Sequence, residues 1–109
     1  MTEHEALDEI VRRLVAAAQP ERIVLFGSRA REEAGADSDF DLLVIEREPF
    51  DAKRSRLVEI GRLEAALGRL PYATDLLVYS SAEVARRGIS PHHVVARALR
   101  EGTVVYARH

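Results

Sequence analysis

The 109-residue chain contains no cysteine, which excludes a disulfide framework and a thiolate zinc site. No apolar run approaches the roughly 18 residues of a membrane span. The opening Met-Thr-Glu-His-Glu is polar and acidic, unlike a signal peptide. The expected compartment is therefore the cytoplasm, with no membrane partner. Basic charge is not in excess either. The net charge is −2, so no overall basic field draws the chain to nucleic acid. Lys53 is the only lysine among many arginines, a bias of composition rather than a site. Tyr72, Tyr79 and Tyr106 show no stacking pattern for single strands. Neither a Gly-Lys-Ser/Thr loop nor a Gly-x-Gly-x-x-Gly fingerprint occurs, which argues against the nucleotide-binding folds built on them.

What is present fits one soluble globular domain over residues 1–109, with 47% hydrophobic and 31% charged residues. Thr2 to Ala18 reads as an amphipathic helix, with Leu7, Ile10, Val11, Leu14, Val15 and Ala18 on one face. Thr2 and Glu5 form a capping box and Pro20 stops the helix. Ile23–Phe26 is a short buried strand, followed by a helical turn from Arg29 to Glu33 that Gly35 ends. Asp39–Ile45 is a second strand. From Asp51 to Leu67, Leu57, Ile60, Leu63, Ala66 and Leu67 recur at helical spacing, closed by Gly68 and Pro71. Thr74–Tyr79 is a third strand. Ser81 caps a short helix ending near Gly88, and Ser90-Pro91 starts another that Gly102 ends. Thr103–Tyr106 is a last strand. The pattern predicts an α/β (α+β) fold, a mixed sheet of about four strands flanked by helices.

Two carboxylates, Asp39 and Asp41, stand at the start of an otherwise apolar strand, where burying charge is unfavourable unless it is paired or metal-bound. The tetrapeptide Asp-Leu-Leu-Val occurs twice, at Asp41–Val44 and Asp75–Val78. The helix between the copies suits a right-handed crossover and parallel strands, which would bring Asp41 and Asp75 to the same sheet end. Asp39 and Asp41 share a face because side chains alternate along a strand. The first two strands are joined too briefly for a crossover and are expected to be antiparallel. Gly27-Ser28 would then meet the three aspartates at one sheet edge. Such hard oxygen ligands suit Mg²⁺ or Mn²⁺, completed by water and substrate phosphates. Gly27 allows close backbone approach and Ser28 adds a hydroxyl, a combination able to hold phosphate oxygens. A metal pair could orient a triphosphate and stabilise the attacking and leaving oxygens at phosphorus.

Plainer readings compete. An isolated Asp-x-Asp is often a turn cap. Asp37, Asp39, Asp41 and Glu48 match four positions of a calcium loop, but Leu42 stands where that loop needs glycine. Asp75 exceeds Glu46, Glu48 or Asp51 as the third carboxylate only through the repeated tetrapeptide. Arg29 and Arg31 are either a solvated helix face or phosphate ligands. His92 and His93 are adjacent and would point apart on a helix, and His4-Glu5 lacks a second histidine.

Gly27-Ser28, ten residues, then Asp39-x-Asp41 resembles the DNA polymerase β-like nucleotidyltransferase superfamily. The longer run, Gly27-Ser28-Arg29-Ala30-Arg31 through Asp37-Ser38-Asp39-Phe40-Asp41-Leu42-Leu43-Val44, is similar to the minimal nucleotidyltransferases, the MNT or MntA-like group. The likeness extends to the Asp75 strand and to Glu101–Tyr106, and Glu32 departs from the glycine common after the second arginine. The resemblance implies two divalent metals and transfer of a nucleoside monophosphate from a triphosphate, with ATP the usual donor. It implies that Asp39 and Asp41 bridge both metals, that Asp75 holds the metal activating the acceptor, and that Gly27 and Ser28 grip the triphosphate, with Arg29 and Arg31 nearby. Larger relatives carry an acceptor domain for which 109 residues leave no room. The minimal group commonly acts as the antitoxin of a small helical HEPN protein, adding AMP to a tyrosine of that ribonuclease toxin.

Two rivals accompany this reading: a non-catalytic antitoxin that masks its partner, and a small-molecule nucleotidyltransferase resembling the aminoglycoside-modifying enzymes. Val94, Val95, Ala98 and Leu99 also exceed what a small sheet can cover. That excess predicts an exposed apolar surface on the Pro91–Arg100 helix and a homo- or hetero-oligomer.

Overall fold

A computed structural model describes residues 1–31 and 39–108. Glu32, Glu33, Gly35, Asp37 and Ser38, which entered the sequence reading, lie outside the described residues. The chain runs α1 (Glu3–Ala18), β1 (Arg22–Phe26), α2 (Gly27–Ala30), β2 (Phe40–Glu46), α3 (Arg56–Leu67), β3 (Thr74–Ser80), α4 (Ser81–Arg87), α5 (Val94–Glu101) and β4 (Thr103–Ala107). The strands form one mixed sheet in the order β3-β2-β1-β4. β1 pairs antiparallel with both β2 and β4, and β2 pairs parallel with β3. The expected strand directions are therefore those observed.

Alternation along β2 divides the core. Phe40, Leu42 and Val44 face α1 and α3, where Ile10, Leu14, Ile23, Leu63 and Val78 join them. Leu43 and Ile45 face the other way, against Val24 and the α4–α5 residues Val84, Val95 and Ala98. Because a strand repeats every two residues, Asp41 shares the α4–α5 face.

Most helix ends follow the sequence signals. The Thr2–Glu5 capping box closes α1, and Gln19 ends it with left-handed backbone. The turn expected from Arg29 begins instead at Gly27 and runs to Ala30, and four further expectations need correction. First, α3 starts at Arg56, not Asp51: the Asp51 carboxylate accepts from the N–H groups of Lys53 and Arg54 at 2.8 and 3.0 Å, holding a turn before Ser55 caps the helix. Leu57 is consequently 80% exposed, and Glu59, Leu63 and Leu67 face inward. Second, Ser80 rather than Ser81 caps α4, in a capping box with Glu83. Third, α5 begins at Val94. His93 caps it through Nδ1, which accepts from the Val95 N–H at 3.1 Å, so Pro91 stands outside the helix. Fourth, α5 buries most of its apolar residues and leaves Val94 exposed. Val95, Ala96 and Ala98 are buried, Leu99 packs beside them, and Val94 is 41% exposed.

Candidate active site

The site is built where β1 ends and β2 and β3 begin. The antiparallel register sets Phe26 opposite Asp41, and the parallel register sets Asp41 beside Asp75. Asp39 precedes Asp41 by two residues and joins it on the same side. Gly27 follows Phe26 with a φ of +73°, turning the chain into α2. A Cβ at Gly27 would overlap Asp41 Oδ2 and stand 3.1 Å from the carboxyl carbon. The glycine is required twice here, by the backbone and by the carboxylate beside it.

Asp41 is half-buried, whereas Asp39 and Asp75 are exposed. Burial pushes the Asp41 carboxyl above its usual range, and the negative charges of Asp75 and Asp39 push it further, partly offset by Arg31. The three carboxylates thus act on one another at this sheet end. Among the described residues, no group of three or more histidine, aspartate or glutamate side chains is drawn together closely enough to hold a metal ion by itself. An open set of aspartates suits a hard cation that keeps water and takes further oxygens from a phosphate.

A cleft of about 370 Å³ opens over these residues. Phe26, Gly27, Ser28, Arg31 and Asp41 form one side, and Val94, Arg97, Ala98 and Glu101 of α5 form the other. Its volume falls in the range of small-molecule sites. Glu101 Oε2 lies 3.5 Å from Arg31 Nη1 and 3.3 Å from Arg97 Nε.

Arg29 goes elsewhere. It is buried, its guanidinium lies 4.2 Å from the Phe40 ring centroid and 5.3 Å from that of Tyr72, and its Nη1 is 3.1 Å from Glu3 Oε1. Phe40 belongs to the α1–α3 face, so Arg29 and the cleft lie on opposite sides of the sheet. The structure thus gathers Gly27, Ser28, Arg31 and Asp41 around the cleft, sets Asp39 and Asp75 beside Asp41, and separates Arg29. Sequence reasoning missed Val94, Arg97 and Glu101. Their spacing of three and four residues marks one helix face, but only the packing of α5 shows that this face meets Gly27.

A second cleft, of about 410 Å³, lies at the opposite end of the sheet, with Glu46, Arg54, Glu59 and Arg62 in its wall. Arg54 pairs there with Glu46 and Arg62 with Glu59, and Arg47, Glu48 and Arg108 complete its charged wall. It holds no aspartates, so the smaller cleft is the stronger candidate.

No curated protein matches the chain significantly. Two solved structures resemble it in fold. A candidate nucleotidyltransferase from Sulfolobus solfataricus has 18% identity and a TM-score of 0.66 over 95% of this chain and 79% of that one. A toxin–antitoxin structure with AMP-PNP has 21% identity and a TM-score of 0.53 over 94% and 73%. The family profile of the nucleotidyltransferase domain matches residues 5–104, nearly the full length described above, and the chain belongs to that family.

Proposed function

We propose that this protein is a metal-dependent nucleotidyltransferase that moves AMP from ATP to a partner protein, a tyrosine of a HEPN toxin, as the cytoplasmic antitoxin of the pair. The observation that carries the reading is the Asp41–Asp75 register beside Gly27, with Asp41 raised by burial and by its two acidic neighbours. Carboxylates crowded in this way are suited to a divalent cation. The similarity in fold to a toxin–antitoxin structure with AMP-PNP supports the antitoxin context.

In this reading Asp39 and Asp41 would hold two Mg²⁺ or Mn²⁺ ions, and Asp75 would hold one of them. Bound there, the ions would neutralise the triphosphate and the charge developing on the attacking and leaving oxygens. Gly27 lets the nucleotide approach the backbone, and the Ser28 hydroxyl donates to a phosphate oxygen. The tyrosine oxygen attacks the α-phosphorus, and the bond from that phosphorus to the oxygen bridging to the β-phosphate breaks. Pyrophosphate leaves, and Asp75 takes the phenolic proton.

The test is transfer of label from α-labelled ATP to a co-produced HEPN partner in the presence of Mg²⁺. Asp39→Asn and Asp75→Asn should each slow transfer at least about a hundredfold. Transfer by Asp39→Asn at the wild-type rate would remove the metal assignment.

A further inference from the structure

Helix α5 supplies half of the cleft wall, and its polar contribution is one arginine and one glutamate. Arg97 and Arg31 come from different elements, yet both approach the same oxygen, Glu101 Oε2. Among the described residues they are the cations in the cleft wall; Arg31 shares its side with Asp41, and Arg97 stands on the other. The Arg97 side chain is 64% exposed and that of Glu101 33%. Ion pairs as open as these add little to stability. The Arg97–Glu101 pair contributes little to the fold and faces the cleft, so it is readily exchanged for a better anion.

A polyphosphate is such an anion. Guanidinium binds phosphate through parallel N–H···O bonds, and a triphosphate presents several oxygens at once where Glu101 presents one. Resting on the nucleotidyltransferase reading above, we infer that Arg97, together with Arg31, binds the polyphosphate of the nucleoside triphosphate, and that Glu101 occupies both guanidiniums until the nucleotide displaces it. Glu101 keeps the two arginines extended toward the cleft without a bound anion and leaves them when the phosphate arrives. Val94 and Ala98, one helical turn from these charges and across from Phe26, give the adjoining wall its apolar character.

The two halves of the inference move nucleotide affinity in opposite directions. Removing a phosphate ligand weakens binding, whereas removing a competing carboxylate strengthens it. Calorimetric titration of the full chain with Mg-ATP, and separately with Mg-pyrophosphate, reads both. Arg97→Gln should weaken each about tenfold or more, and Arg97→Lys should recover part of that loss. Glu101→Gln should tighten each about threefold. In label transfer, Arg97→Gln should raise KM more than it lowers kcat. Melting temperatures separate these effects from damage to α5, and Arg97→Lys keeps the test open if Arg97→Gln does not fold. Wild-type affinity in Arg97→Gln, with the wild-type chain binding Mg-ATP, overturns this inference and leaves the function standing. Weaker binding by Glu101→Gln overturns the displaced-carboxylate role. A wild-type chain that binds no nucleoside triphosphate overturns the function and this inference with it.

Discussion

Gly27→Ala tests the geometry of the site most directly, because it adds one carbon at a known place. At φ +73° an L-residue with a Cβ is strained by about 1–2 kcal/mol. The smaller entropy of the unfolded alanine chain returns about 0.4–1 kcal/mol. The added carbon also overlaps Asp41 Oδ2, with the carboxyl carbon only 3.1 Å away. Relieving that overlap means turning Asp41 off its rotamer, which costs about 0.5–1.5 kcal/mol. The sum is a loss of about 0.5–3 kcal/mol in stability, or roughly 2–25 °C in melting temperature for a chain of this size. The effect on transfer should be larger, since moving a reacting group by about 1 Å can cost a hundredfold. Urea denaturation measures the first quantity, and label transfer at a temperature where the variant stays folded measures the second. Gly61→Ala is the control: nothing lies within 4 Å of its added carbon, the residue is exposed in α3, and alanine there should stabilise by about 0.5–1 kcal/mol. Gly27→Ala within about 0.5 kcal/mol of wild type would refute the steric argument. Full transfer activity in Gly27→Ala would show that the position of Asp41 does not matter to the chemistry.

Further outcomes follow from the same contacts. Asp41→Asn should abolish transfer yet melt at or above the wild-type temperature in metal-free buffer, because it removes a charge that burial, Asp75 and Asp39 all disfavour; a marked loss of stability would contradict this. Arg29→Ala should destabilise by about 2 kcal/mol in urea, since it empties a buried place over Phe40 and Tyr72 and leaves Glu3 without that partner; an unchanged midpoint would remove the structural role. Glu46 is pushed up to about 7 by burial and by the Glu59 carboxylate, with Arg54 opposing. The folded chain therefore holds a proton that the unfolded chain releases at the ordinary glutamate value of 4.5. That contribution to stability is full below 4.5, is lost as pH rises through about 7, and amounts to at most about 3 kcal/mol. Glu59, held low by Arg62, works in the opposite sense, and Glu48 adds negative charge beside Arg54. Glu46→Gln should flatten the stability profile between pH 5 and 8 by about 1–3 kcal/mol, and an unaltered profile would show that the buried proton is absent. Saturation with Mg-ATP at one hundred times Kd should raise stability by about 2.7 kcal/mol and slow amide exchange in α5; protection confined to α1 and α3 would place the nucleotide on the wrong face.

The convergence of the aspartates was legible because the two Asp-Leu-Leu-Val copies align without offset, Asp41 with Asp75 through Val44 with Val78. Identical runs on parallel strands favour that register, since it sets each residue beside its counterpart on the same face of the sheet. Arg29 and Arg31 could not be resolved in the same way. Residues two apart on a helical turn point to different sides, so at most one of them could face the cleft, and nothing in the sequence says which. The start of α3 was misread because Asp51 bonds the backbone two and three residues on, a local competitor that hydrophobic spacing does not register. Arg97 and Glu101 stand four residues apart, the spacing of one helix face, which by itself marks no more than an exposed pair. Their role depends on a long-range fact, the packing of α5 over β1.

The electrostatics of the described residues give an argument for a cation that does not depend on resemblance. Glutamates drawn into the fold acquire arginine partners: Glu46 has Arg54, Glu59 has Arg62, and Glu83 has Arg56. The exposed Glu9 is shared by Arg12 and Arg13. The chain is rich in arginine and repeatedly places it against acids. Asp41 is half-buried, yet its nearest strong influences after burial are Asp75 and Asp39, and the arginine that offsets them, Arg31, also pairs with Glu101. A fold under selection for stability alone could relieve Asp41 as it relieves Glu59, or replace it with an apolar residue like Leu43 two positions on. Retaining three mutually repelling carboxylates, with a glycine that makes room for one of them, is unfavourable for the free protein. The arrangement becomes favourable when positive charge enters from outside. Under the proposed function that charge is a small, hard, exchangeable cation, the kind that oxygen ligands at an open cleft edge suit.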